Sequence, residues 1–162
     1  MNFDGQVWFD FRDPAVWQFY RFVRELAARR HTVALEWRPF PTEGQEDAML
    51  TYESLASPDD RGRFLHSLLG LVHIEGRDPG DPGVVAAAVL AAKVEPGDTR
   101  SLDSATAAAA QLGVQAVPSL YRLGPVVTVR LNGAALLGDV EQRAATILAM
   151  AADDGIWELS KP

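Results

Sequence analysis

Val7-Trp8-Phe9-Asp10-Phe11-Arg12-Asp13-Pro14-Ala15-Val16 decides how this chain folds. Val7 to Phe11 is short, aromatic and apolar, as a buried strand is. Arg12 and Asp13 turn the chain. Beyond Pro14, the residues Ala15, Val16, Phe19, Phe22, Val23, Leu26 and Ala27 recur at three- and four-residue intervals, which places them on one helix face. Asp is a favoured N-cap, and Pro at the first helical position gives up only an N–H that has no partner there, so Asp13-Pro14 starts the helix. Arg29-Arg30-His31 ends it, where positive charge suits a helix C-terminus. Thr32-Val33-Ala34-Leu35-Glu36-Trp37 reads as a second strand, closed by Arg38-Pro39-Phe40-Pro41. A strand, a helix and a strand with a crossover of this length make a parallel pair.

From Thr42 to Leu112 no strand pattern occurs. Helices are expected over 47–55, 59–74, 82–93 and 102–112, separated by Ser57-Pro58, by Gly76-Arg77-Asp78-Pro79-Gly80 and by Glu95-Pro96-Gly97-Asp98. The last two are rich in alanine, which favours helix but offers only shallow packing. Residues 117–123 and 126–131 read as two short strands. Their connection at Gly124-Pro125 is too short for anything but an antiparallel hairpin. Asn132-Gly133 makes a turn, residues 140–152 a last helix, and Gly155-Ile156-Trp157-Glu158-Leu159 an apolar tail able to dock on the body.

The chain has 162 residues, 48% of them apolar, enough for one domain spanning 1–162 with a helical insertion over about 42–100. A net charge of −7 provides no footprint for nucleic acid or an anionic membrane. Arg12, Arg21, Arg24, Arg29 and Arg30 gather near the first helix as a solvated face. No apolar stretch approaches a membrane span, and Met1-Asn2-Phe3-Asp4-Gly5 lacks the pattern of a signal peptide, so a cytoplasmic location is expected. The chain contains no cysteine. Structural disulfides and cysteine-ligated metals are thereby excluded.

Four features in order resemble the DsbA-like branch of the thioredoxin superfamily. They are the aromatic strand running into Asp13-Pro14-Ala15-Val16, the strand end Trp37-Arg38-Pro39-Phe40, the stretch His73-Ile74-Glu75-Gly76-Arg77-Asp78 with Gly80-Asp81-Pro82, and Gly113-Val114-Gln115-Ala116-Val117-Pro118-Ser119. The third is similar to the insertion of FrnE-like proteins. The resemblance implies an α/β, thioredoxin-like fold: strand-helix-strand, helical insertion, helix, β-hairpin and C-terminal helix. It also implies that Asp13 and Val16 stand where the family has the two cysteines of Cys-Pro-X-Cys. A cis Val117-Pro118 bond would lie opposite, exposing the Val117 main chain to a peptide, protein or thiol ligand. Kappa-class glutathione transferases and hydroxychromene-carboxylate isomerases keep a hydroxyl at this helix start to hold a thiol cofactor. Here the residue is Asp13, and no serine or threonine lies between Asp10 and Arg30.

The thiolate is the nucleophile of disulfide exchange, so this chain cannot perform that reaction with its own side chains. Asp13 is an N-cap or a retained negative charge at the site, and Val16 is core or pocket wall. Pro14, Trp17, Val117, Pro118 and Ser119 complete the candidate ligand-binding set, Trp17 as core or as groove lining. His66 and His73, seven apart on one helix, have no third ligand at metal-site spacing and read as packing or surface residues, and His31 as a helix-end residue. No metal is expected. Three functions fit. The first is a redox-inactive protein binding a peptide, protein or thiol in the old groove with no cofactor required. The second is an enzyme borrowing the thiol of glutathione or mycothiol. The third is an interaction scaffold acting through the helical insertion. A homo-oligomer is compatible with each.

Overall fold

The computed structural model describes residues 1–98, 101–131 and 139–152. β1 (Asn2–Phe9), α1 (Pro14–Ala28) and β2 (Thr32–Pro39) form the crossover unit, with β1 and β2 parallel from Asn2 opposite Thr32 to Phe9 opposite Pro39. Then come α2 (Glu46–Ser54), α3 (Pro58–His73), α4 (Pro82–Ala92), α5 (Asp103–Leu112), β3 (Ser119–Tyr121), β4 (Val127–Thr128) and α6 (Val140–Ala152). β3 is antiparallel to β1 and to β4, giving the sheet order β2-β1-β3-β4.

β1 divides its side chains between layers by its period of two. Phe3 and Val7 pack with Phe19, Phe22 and Leu26 of α1, Leu120 of β3, and Val140, Ala144 and Ile147 of α6. Trp8, on the opposite face, meets Ala105, Ala109 and Val114, so the alanines of α5 make room for the indole. Phe9 and Phe11 enter a third cluster with Val16, Met49, Tyr52, Phe64, Leu68, Val84 and Val117, which binds the helical insertion to the start of α1. Each large apolar side chain so buried contributes about 1.5–3 kcal/mol.

Three expectations are corrected. β1 begins at Asn2 rather than Val7, because β2 pairs with it along its whole length and carries the polar Asp4-Gly5-Gln6 into the ladder. It ends at Phe9, because the Phe11 main chain bonds to the side chains of Gln45 and His73 instead of to a neighbouring strand. The hairpin strands, expected over 117–123 and 126–131, shrink to Ser119–Tyr121 and Val127–Thr128. The N–H groups of Leu123 and Gly124 donate to the Ala151 carbonyl of α6, at 3.4 and 2.9 Å, and so leave the ladder. Elsewhere the helix bounds agree with the sequence reading within two residues. The Asn132-Gly133 turn and the tail at 155–159 lie outside the described residues.

Gly5 has φ +137°, and a Cβ there would stand 2.6 Å from the Tyr121 carbonyl oxygen of β3. A side chain would therefore strain β1 and push β3 away. Gly5→Ala is expected to lower unfolding free energy by about 1–3 kcal/mol, read as a lower urea midpoint at unchanged m.

Candidate functional site

The turn from β1 to α1 is held by side chains rather than by secondary structure. Asp10, 7% exposed, accepts the N–H groups of Arg12 (3.0 Å) and Asp13 (2.8 Å) on one carboxylate oxygen. Phe11 is clamped on both sides: its N–H donates to Gln45 Oε1 at 2.8 Å, and its carbonyl accepts from His73 Nε2 at 2.9 Å. Arg12 reaches Asp78, in the loop between α3 and α4, at 2.9 Å. The Asp78 carboxyl is held below its ordinary range, first by the Gly80 N–H and then by Arg12.

Asp13 is the N-cap of α1, its carboxylate accepting the Ala15 N–H at 2.8 Å. Pro14 is exposed at the first helical position, and Val16 is fully buried one turn on. The Val117-Pro118 peptide bond is cis. The Pro118 carbonyl accepts the Val129 N–H at 2.9 Å, and the next residue, Arg130, places its guanidinium 3.4 Å from the Asp13 carboxylate. The proline segment and the start of α1 thus share one end of the molecule. Val117, its main chain expected to be exposed by the turn, is instead buried in the cluster that holds Val16, because its side chain packs into the core there. Ser119 is wholly buried: its hydroxyl donates to the Ala116 carbonyl at 2.6 Å and, its proton so used, accepts from Thr128 Oγ1 at 3.0 Å.

Trp17 faces α3 instead. Its ring stacks on His73 (centroids 5.6 Å apart, planes 8° apart) and on Tyr20 (5.9 Å, 18°), with the Arg21 guanidinium 6.0 Å from the ring centre. One turn along α1, Tyr20 Oη lies 2.7 Å from His66 Nδ1, and Arg24 donates to that same hydroxyl at 3.4 Å. The two aromatic–histidine pairs run in opposite chain order, so α1 and α3 are zipped antiparallel. Two hollows adjoin this seam. One of about 830 Å³ is lined by Tyr20, Arg24, Trp37, Arg63, His66 and Lys93 among others. The other, of about 360 Å³, shares Tyr20, Arg24 and His66 and extends to Trp17 and Glu25.

No family model matches the chain, and no curated protein matches it in sequence. Solved structures do match. A periplasmic thioredoxin-like protein from Salmonella enterica serovar Typhimurium superposes with a TM-score of 0.65 at 14% identity, covering 88% of this chain and 84% of that one. Reduced DsbL gives 0.56 at 12% identity over 94% and 91% of the two chains. DsbL of Salmonella enterica serovar Typhimurium gives 0.56 at 12%, over 94% and 89%. The fold is thioredoxin-like, of the DsbA type. In this fold the start of α1 and the cis-proline segment come together, while Trp17 belongs to the seam with α3. Among the described residues no helix is long and apolar enough to cross a membrane, and no group of three or more His, Asp or Glu side chains is placed to hold a metal.

Sequence reasoning missed Arg130 and the hollows altogether. The signal for the seam was present: His66 and His73 two turns apart on α3 match Trp17 and Tyr20 one turn apart on α1. Read without their partners, the histidines were indistinguishable from surface residues, and Arg21 and Arg24 from a solvated face.

Both histidines are held below the ordinary imidazole range. For His66 the first cause is desolvation and the second is the Arg24 charge. For His73 desolvation outweighs the Phe11 carbonyl bond and the charges of Asp10 and Asp13, which act the other way. The folded state therefore binds fewer protons than the unfolded chain. The corresponding stability is complete above the unfolded histidine pKa of about 6.5 and is lost progressively below it. The urea midpoint is expected to fall from about pH 7.5 to about pH 5.5. The double variant His66→Gln, His73→Gln, though less stable at the higher pH, should show a shallower fall. The depressed carboxyls Glu46, Asp78 and Glu141 titrate below this window and leave the comparison undisturbed.

Proposed function

We propose that this protein is a ligand-binding member of the DsbA-type fold with no disulfide chemistry of its own, taking an extended peptide, a protein segment or a small thiol where the start of α1 meets the cis-proline segment. The observation that carries this reading is the carboxylate of Asp13 capping α1 in a chain without cysteine. A thiolate at a helix start is stabilised by free N–H groups and the helix dipole. Here the Ala15 N–H already serves Asp13, whose negative charge also opposes a second anion. That arrangement favours binding over activation of a borrowed thiol. Exposed Pro14 and Arg130, whose side chain is 55% accessible, supply an apolar and a cationic contact on the surface beside it. Among the described residues the Val117 main chain makes no hydrogen bond, which leaves its N–H and C=O unused for pairing with an added strand.

An enzyme that borrows glutathione or mycothiol is the second reading, supported by Arg130, which would pair with a carboxylate of such a thiol. Such an enzyme would run a transferase, isomerase or oxidoreductase reaction, and its oxidoreductase form separates from the binding reading in one assay. Insulin reduction is expected at the buffer rate with the protein alone and at the glutathione or mycothiol rate when either thiol is added. Turnover above those controls overturns the binding reading in favour of the enzyme. Thermal stability is expected to rise with a ligand that binds the folded state alone. The alignment of the motif is checked by Asp13→Cys with Val16→Cys. The Val16 N–H donates to the Asp13 carbonyl at 3.0 Å, so the pair spans one turn. Mild oxidation is expected to consume both thiols, measured by alkylation and mass spectrometry, and two free thiols in a folded variant would refute the alignment.

A further inference from the structure

We propose that the larger hollow between α1, α3 and the end of α4 is a binding site for a small aromatic monocarboxylate, separate from the face around Asp13 and Pro118. Its volume, about 830 Å³, lies within the range of small-molecule sites, roughly 300–1,000 Å³. The lining contains one aromatic wall, where Tyr20 and Trp37 stand edge to face with centroids 5.9 Å apart, and an aliphatic remainder of Pro58, Leu65, Ala91 and Ala92. A flat ring completes such a wall better than a flexible chain, because aromatic contacts keep their geometry at little cost in entropy.

The polar part is dominated by cationic donors. Arg24 donates to Tyr20 Oη at 3.4 Å, and that hydroxyl shares a hydrogen bond with His66 Nδ1 at 2.7 Å. His66 is exposed beside this bond, so its ring edge borders the hollow. Arg24 and Lys93 also line the hollow, and neither forms a salt bridge among the described residues. Arg63 is already engaged, with Asp60 at 2.5 Å and the Ala92 carbonyl at 3.2 Å. The lining carries one carboxylate, Asp59. Two unpaired cations against one carboxylate leave a net charge that a monoanion balances, in a chain whose overall charge is −7. Guanidinium and ammonium groups offer no acceptor, so their complement is an acceptor-only group, the carboxylate.

The test uses the full chain at low salt, with 3-phenylpropionate as probe and its neutral amide, 3-phenylpropanamide, as control. Calorimetry is expected to show saturable binding of the acid, with the amide about tenfold weaker or worse. Lys93→Gln should weaken the acid by about fivefold at unchanged melting temperature, Arg24→Gln, which also gives up its bond to Tyr20, by at least as much, while Arg143→Gln, on exposed α6 surface, binds as wild type. In the unaltered protein the Trp37 indole N–H resonance should shift on titration and that of Trp8 should not, a readout independent of any variant. Phenyl phosphate binding more tightly than the acid would overturn the monoanion assignment. Equal binding of acid and amide, indifference to both Arg24→Gln and Lys93→Gln, a still Trp37 resonance, or no saturable binding would each overturn the site.

Discussion

The structure depends on how the four residues between β1 and α1 satisfy their main chain. A strand that stops beside a helix start leaves N–H and C=O groups without ladder or helix partners, and burying them unpaired costs about 1–3 kcal/mol apiece. Asp10 takes the N–H groups of Arg12 and Asp13, Gln45 takes that of Phe11, and His73 donates to the Phe11 carbonyl. Gln45 precedes α2 and His73 ends α3, so the polar clamp also fastens the helical insertion to the sheet. The apolar cluster around Phe9, Phe11, Phe64 and Leu68 has its bulk in the same place. Non-directional burial draws the insertion in, and the directional bonds set its register.

That clamp separates the two faces of α1. On the side of Val16 and Phe19 the helix is committed to the core, and its start carries Asp13 under Arg130 beside the cis-proline segment. On the other side Trp17 and Tyr20 are zipped to His73 and His66, and the hollows open along this seam. A cysteine at the helix start would add redox chemistry to the first face. Asp13 substitutes a fixed charge with no redox couple, so the N–H and dipole that would stabilise a thiolate stabilise a cap instead.

Much of the fold was legible because local rules and global placement agree. Asp13-Pro14 starts α1, Ser57-Pro58 starts α3 with Ser57 Oγ accepting the Asp60 N–H, and Asp81-Pro82 starts α4 with Asp81 accepting the Gly83 N–H. In each case a capping side chain precedes a residue whose missing N–H is harmless. The strands were less legible at their ends. Asn2 to Gln6 carries little apolar signal, and only the facing residues of β2 make it a strand. Conversely Leu123 and Gly124 look like hairpin residues, yet the Ala151 carbonyl draws their N–H groups to α6.

The sequence by itself determined that this chain cannot exchange disulfides, since reactivity of that kind resides in an atom it does not contain. It also determined the order of strands and helices, because hydrophobic period, caps and turn residues act over a few neighbours. Tertiary structure alone decided that Arg130 meets Asp13 across 117 positions, that His73 reaches back 62 positions to Phe11, and that Arg24 and Lys93 line one hollow. Those contacts depend on how whole elements pack, and a charged or aromatic side chain carries no local mark of the partner that packing will bring to it.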